Sequence, residues 1–289
     1  MNRFELWLDD VDIPLSVSCG QTFRWRQLDP NHWVGLDGGD WYRVEISDDR
    51  QIVETSATFE LARKYFGLDR PEFDVGVSDE LLELRSALPG LKILRQSCAQ
   101  EVLFSFLCTS NNHVSRIASM VRKLAATGHA CEHIAGDHHW PGRAALAQIE
   151  ESTLRAQGFG YRAKTLPLVA RALAEQGGTD RLENLDDATL RLDLQKLPGV
   201  GPKLADCIML YAFHRRASVP IDTHLWRAYC QRYEPHLAGL AITPKRYSEA
   251  ANAIRARFGD HAGEAQLLIF AHELFGPRGR GTKPVHCRA

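Results

Sequence analysis

Apolar positions change their period along this chain. Over 1 to about 57 they alternate with polar ones, and PLSVSCGQTFRWRQL (14–28), HWVGLDGGDWYRVEI (32–46) and QIVETSA (51–57) are rich in β formers, with turns at Asp29-Pro30 and Asp37-Gly38-Gly39. Helices are expected at 59–66 and 79–88, and Pro89-Gly90 marks a boundary. Beyond it the period is helical, with helices near 97–126, 148–157, 161–176, 186–197, 202–213, 223–233, 244–258 and 263–275. The expected class is α+β, with a sheet domain over 1–90 and a helical domain over 91–289.

One stretch, 186–233, carries the densest pattern. Leu190, Leu194 and Leu197 share a helix face behind Asp186 or Asp187 as N-cap, and Pro198, Gly199 and Gly201 end that helix. Pro202 suits the first position of a new helix, whose stripe is Leu204, Cys207, Ile208 and Tyr211. The result is a helix-hairpin-helix over 186–213. Amides of Gly199, Val200 and Gly201 at a turn opening a helix suit a nucleic-acid phosphate, although a sharp helical hairpin needs the same glycines. Lys203 lies beside the apolar stripe, where burial would depress its pKa. Asp222 follows the apolar run Val219-Pro220-Ile221 and opens another helix.

Composition changes this picture little. Among 289 residues, 44% are hydrophobic and 25% charged, as in ordinary globular proteins, and no segment is apolar enough to span a bilayer. A net charge of −1 means that any nucleic-acid footprint is a local patch, with Arg95, Arg116, Arg122, Lys123, Arg162, Lys164 and the terminal RGRGTK as its material. The seven cysteines (19, 98, 108, 131, 207, 230, 287) form no C-x-x-C pair and fit reduced thiols. Segment 127–141 is rich in histidine, but His129, Cys131, His133, His138 and His139 lack metal-ligand spacing, so a polar loop is expected there.

LPGVGPKLADC with VPIDTHLW resembles the helix-hairpin-helix and following Asp loop of the eukaryotic-type 8-oxoguanine DNA glycosylases. SCGQTFRW, LRQ at 94–96, LFSFLCTSNNHVSRI, GFGYRAK and GEAQLLIF resemble further segments of that family, in its order and over nearly the whole chain. The resemblance implies a twisted antiparallel sheet followed by helical subdomains, with duplex DNA in the cleft between them and no redox cofactor or metal. It implies Lys203 as the Schiff-base nucleophile of a glycosylase that also cleaves abasic sites, and Asp222 as the carboxylate that stabilises charge on the sugar. It places Gly20, Phe106, Cys207, Gln266 and Phe270 around the flipped base, with Cys207 and Lys203 as a thiolate–ammonium pair. It places Asn111, Arg116, Tyr161, Arg162 and His224 on the DNA, with Tyr161 as a wedge and the arginines on the orphan cytosine.

Two positions depart from the family's pattern. Pro202 lacks an N–H that phosphate could use, and Tyr211 stands near the base where methionine is common. The last residues, VHCRA, form no basic nuclear tail, and a monomeric bacterial, cytoplasmic protein is expected. Two alternatives stay open: a glycosylase for alkylated purines on the same scaffold, and a non-catalytic DNA-binding module.

Overall fold

A computed structural model describes residues 1–69 and 77–276. Strands β1 (Asn2–Trp7), β2 (Arg26–Asp29), β3 (His32–Asp37), β4 (Asp40–Ser47) and β5 (Arg50–Thr55) pair antiparallel in the order β1-β5-β4-β3-β2. Two-residue turns join β3 to β4 and β4 to β5, placing Gly38 (φ 57°) and Asp48 (φ 52°) in the left-handed region that such hairpins require. Trp25, Trp33, Tyr42, Val44 and Val53 form the sheet's own core.

The segment 14–28 is a strand only from Arg26 onward, in β2, and its first part is not the strand its alternation suggests. A short helix α1 (Ile13–Ser18) forms instead, because the Asp12 carboxylate accepts from the Leu15 amide at 2.8 Å and Pro14 fits the first turn. Its residues Ile13 to Val17 are buried on every side, so no pleat has a wet face to alternate with.

The helices that follow are α2 (Phe59–Tyr65), α3 (Asp79–Ala87), α4 (Ala99–Leu107), α5 (Val114–Ala125), α6 (Arg143–Ala147), α7 (Glu151–Ala156) and α8 (Arg162–Glu175). They continue with α9 (Asp180–Glu183), α10 (Asp187–Gln195), α11 (Pro202–Tyr211), α12 (Thr223–Tyr233), α13 (Pro244–Phe258) and α14 (Ala262–Phe275). The expected helical stretch 97–126 breaks between α4 and α5, where Asn111 sits at φ 48° and the Asn112 amide donates to the Cys108 carbonyl at 3.1 Å. Asparagine amides compete for backbone partners, and here they win. The short helices α6 and α9 carry too few turns to show as a period. Among the described residues no helix is long and apolar enough to cross a membrane. RGRGTK and Cys287 lie outside the described residues.

Packing crosses residue 90. Leu15, Cys19 and Phe23 join the helical core, while Leu94 joins the sheet's core. The 127–141 segment docks on the outer sheet, where His133 stacks on Trp41 at 4.5 Å and Arg26 pairs with Asp137 at 3.1 Å. Cys131 and Ile134 pack beneath it against Val34, Leu36 and Trp41. Its histidines form no metal-binding group among the described residues.

The sheet is also tied to α4 by charge. Arg24 and Glu101, both almost wholly buried, pair at 3.3 Å, and Asp37 accepts from the Ser97 amide at 3.0 Å. Burial, and then the Glu101 charge, push the Asp37 carboxyl up to about 7. A carboxyl raised in the folded state supports folding fully below its ordinary range and loses that support as pH rises through the raised value. Wild-type protein therefore melts at a lower temperature at about pH 8 than at about pH 5, and Asp37→Asn removes that part of the decline. Melting profiles of the two that run parallel across this window would show that Asp37 does not titrate there.

Candidate active site

The centre of the site begins as local chemistry. Asp186 caps α10 by accepting from the amides of Ala188 and Thr189 at 3.1 Å, and Pro202 occupies the first turn of α11. Gly199, at φ 80°, makes the turn between them, and a Cβ there would lie 2.9 Å from the Thr165 methyl carbon of α8. Val200 is buried and its amide donates to the Leu197 carbonyl at 3.1 Å. What remains for an anion is the Gly199 and Gly201 side of the turn and the start of α11, whose first amides have no partner within the helix.

Along α11, Lys203, Cys207 and Tyr211 recur every fourth residue and form one wall. Gln266 and Phe270, also four apart, face it from α14. Phe106 of α4 packs against the α11 wall, stacked on Tyr211 at 5.4 Å with an 8° interplanar angle, and lies under the Lys203 ammonium at 5.9 Å. Phe23, from the loop after α1, meets Phe106 edge-on at 5.9 Å. The same loop carries Gly20 at φ 77°, with no atom within 4 Å of where a Cβ would stand.

That loop is held by Gln21, whose side chain is 1% exposed. Its amide donates to the carbonyls of Ser16 and Lys92 at 2.7 and 2.9 Å and accepts from the Leu94 amide at 2.8 Å. Gln96 then donates to the Gln21 carbonyl at 2.8 Å. This explains why SCGQTFRW and LRQ belong together: the two segments hydrogen-bond across the junction of sheet and helices.

Asp222 caps α12, accepting from the Leu225 amide at 2.8 Å, and stays only half-buried. The segment that delivers it is anchored from behind. Asp206, 2% exposed inside α11, accepts from Arg191 at 2.9 Å and from the Tyr247 hydroxyl of α13. The Ile221 amide donates to that same hydroxyl at 3.4 Å. Sequence reasoning passed over Asp206 and Tyr247, although an acid placed among the apolar residues of α11 was a visible signal.

Electrostatics correct one sequence expectation. Burial does lower the Lys203 pKa, but Cys207 and the Asp222 carboxylate together outweigh it, and the amine is held above its ordinary value. Cys207 is equally informative: burial pushes its thiol up to about 11 despite the neighbouring lysine. The pocket therefore holds Lys203 as an ammonium beside a Cys207 thiol that burial keeps protonated. The thiolate–ammonium pair is not the resting form, and Cys207 first and Asp222 second hold the amine above its ordinary value.

A second set of predicted residues gathers beside this pocket. Tyr161 and Arg162, at the start of α8, both donate to the Ser110 carbonyl, Tyr161 at 3.1 Å, and the Arg162 guanidinium lies 4.5 Å from the Tyr161 ring. Arg116 donates to the Gly158 carbonyl at 3.1 Å, and Asn111 stands exposed in the break before α5. Tyr161 is 59% exposed, an aromatic ring offered to solvent as an inserting wedge must be. Arg162 is buried with its Nε unpartnered, a donor with capacity to spare. His224 of α12 meets Phe270 edge-on at 5.9 Å, closing the pocket on that side.

No family model matches the chain. It is 33% identical over 291 residues to the N-glycosylase/DNA lyase OGG1 of Arabidopsis thaliana, covering 92% of this chain and 78% of the relative. The N-glycosylase/DNA lyase of Saccharomyces cerevisiae is 30% identical over 335 residues, with 98% and 87% covered. The Clostridium acetobutylicum 8-oxoguanine glycosylase/lyase, solved with duplex DNA containing cytosine opposite 8-oxoguanine, superposes with a TM-score of 0.78 at 23% identity over 91% of each chain. The 3-methyladenine DNA glycosylase of Archaeoglobus fulgidus superposes with a TM-score of 0.70 at 19% identity, over 96% of this chain and all of the other. Fold alone therefore does not choose between an oxidised and an alkylated purine.

Proposed function

This chain belongs to the N-glycosylase/DNA lyase family, and we propose that it excises 8-oxoguanine paired with cytosine from duplex DNA and then cleaves the strand. The observation that carries this reading is the gathering at one pocket of Lys203, 5.9 Å from the Phe106 ring, Cys207 one turn further along α11, and Asp222 at the start of α12. A phosphate-binding lysine has no need of a half-buried acid beside it.

The chemistry follows from what each group can do. A stacked base hides C1′, so the nucleotide must leave the helix before anything reacts. Tyr161 fills the vacated space in the duplex, while Asn111, Arg116 and Arg162 hold the orphan base. Lys203 must lose its proton before its nitrogen can attack C1′. As the C1′–N9 bond breaks, the purine leaves with the bonding electrons and gains a proton. Positive charge that develops on the sugar faces the Asp222 carboxylate, which stabilises it without itself forming a bond. Opening of the sugar ring turns the Lys203 adduct into a Schiff base. Loss of a C2′ proton then expels the 3′ phosphate by β-elimination, and water releases the lysine.

Because Lys203 rests as an ammonium, base release rises with pH toward the lysine's own range. Borohydride trapping on a duplex carrying 8-oxoguanine opposite cytosine, beside one carrying an alkylated purine, tests the reading. Release of 8-oxoguanine together with a covalent adduct supports it. Preferred release of the alkylated purine would overturn the substrate, and equal binding of damaged and intact duplex with no release would leave only a DNA-binding module.

A further inference from the structure

The geometry points to Tyr211 as a specificity-determining residue that acts through Gln266, turning the pocket toward purines that carry a proton on N1. This rests on the base-excision reading above and names what reads the base within it.

Tyr211 and Gln266 are 5% and 3% exposed, so neither polar group has water to fall back on. The Gln266 amide nitrogen donates to the Tyr211 hydroxyl at 3.2 Å. Burial holds that hydroxyl far above its usual range, so it stays protonated and uncharged across every pH at which the protein works. The ring itself cannot move aside freely, because it lies flat against Phe106 and Phe106 is braced by Phe23.

A glutamine side chain ends in one acceptor oxygen and one nitrogen that carries two donor hydrogens. With one of those hydrogens committed to Tyr211, the amide is held in one orientation, and its oxygen is left as an acceptor for an incoming base edge. An acceptor there matches the N1–H and exocyclic N–H groups of a guanine-type edge. Adenine-type edges present an N1 lone pair at the same place, and two facing acceptors leave a buried polar group unmatched, the kind of mismatch that discriminates strongly. Tyr211 is thus a positioning residue for the base-reading amide, four residues beyond Cys207 on the same wall.

The test compares excision of 8-oxoguanine with excision of 8-oxoadenine, each opposite the base it pairs with, in wild type, Tyr211→Phe and Tyr211→Met. Tyr211→Phe keeps the stacked ring and deletes only the hydroxyl; Tyr211→Met fills the space with a flexible apolar chain should the first variant fold poorly. Wild type is expected to favour 8-oxoguanine. In both variants the preference, measured as the ratio of kcat/KM values, is expected to narrow by about tenfold or more, because the amide is free to turn. A merely structural role would lower both rates together and leave the ratio alone. A ratio within about twofold of wild type in either folded variant overturns the inference, with folding checked by thermal melting. Absence of 8-oxoguanine release from wild type would instead overturn the substrate assignment itself, so the two failures are told apart.

Discussion

Lys203→Gln leaves no borohydride-trapped adduct on damaged duplex and lowers base release by roughly 10⁴-fold or more, the scale of losing a reaction's nucleophile. The reason is chemical and local. Glutamine is one bond shorter than lysine but can still donate to a phosphate, so DNA binding survives within about tenfold, while its amide nitrogen has no basic lone pair with which to attack C1′. The same replacement removes a positive charge from beside Cys207 and Asp222. Cys207 already sits at about 11 with the lysine present; without it the thiol rises further and remains unreactive. Single-turnover excision and trapping, run beside a binding titration, separate the outcomes. Base release at the wild-type rate would assign Lys203 to phosphate binding and remove the Schiff-base step.

Asp222→Asn lowers base release by on the order of 10² to 10³-fold, the usual cost of removing one electrostatic contact to a charged transition state. Asp222 has two jobs in the structure, and the choice of variant separates them. As the cap of α12 it accepts from the Leu225 amide at 2.8 Å, and asparagine caps a helix about as well as aspartate. Asp222→Asn is therefore expected to melt like wild type, whereas Asp222→Ala loses about 1 kcal/mol of stability as well. Loss of the carboxylate also removes one of the groups that raise Lys203, so the rising limb of the pH–rate profile moves to lower pH. Proportionate losses of rate and stability in both variants would reduce Asp222 to a helix cap. A profile that stays in place would separate it from the lysine.

The hairpin was legible because its signals act over a few residues. Asp186 caps, Gly199 turns and Pro202 starts the next helix wherever they stand in a chain, and the structure uses each of them in that way. The break at Asn111 and Asn112 divides a stretch whose period reads as one helix over 97–126, because the asparagine amide takes a backbone carbonyl there. α1 was not legible, because a segment buried on all sides alternates only by accident, and the Asp12 cap decided between strand and helix. The Lys203 pKa was misread in direction because burial could be inferred from the stripe on α11, while the opposing effects of Cys207, one turn on, and of Asp222, at the start of α12, depend on how closely the fold sets them against the amine.

By itself, then, the sequence determined the division into sheet and helices, the helix-hairpin-helix, and the lysine and acid that flank it. Those follow from caps, turns and periods, which are settled by near neighbours. The tertiary structure alone decided that Gln21 would hold the Gly20 loop against the helices, that Tyr211 would take the Gln266 amide, and that Cys207 and Asp222 would together keep Lys203 charged despite its burial. Hydrogen bonds and charges in a buried, weakly screened pocket take their strength from which distant residues the fold brings together, and no local pattern carries that information.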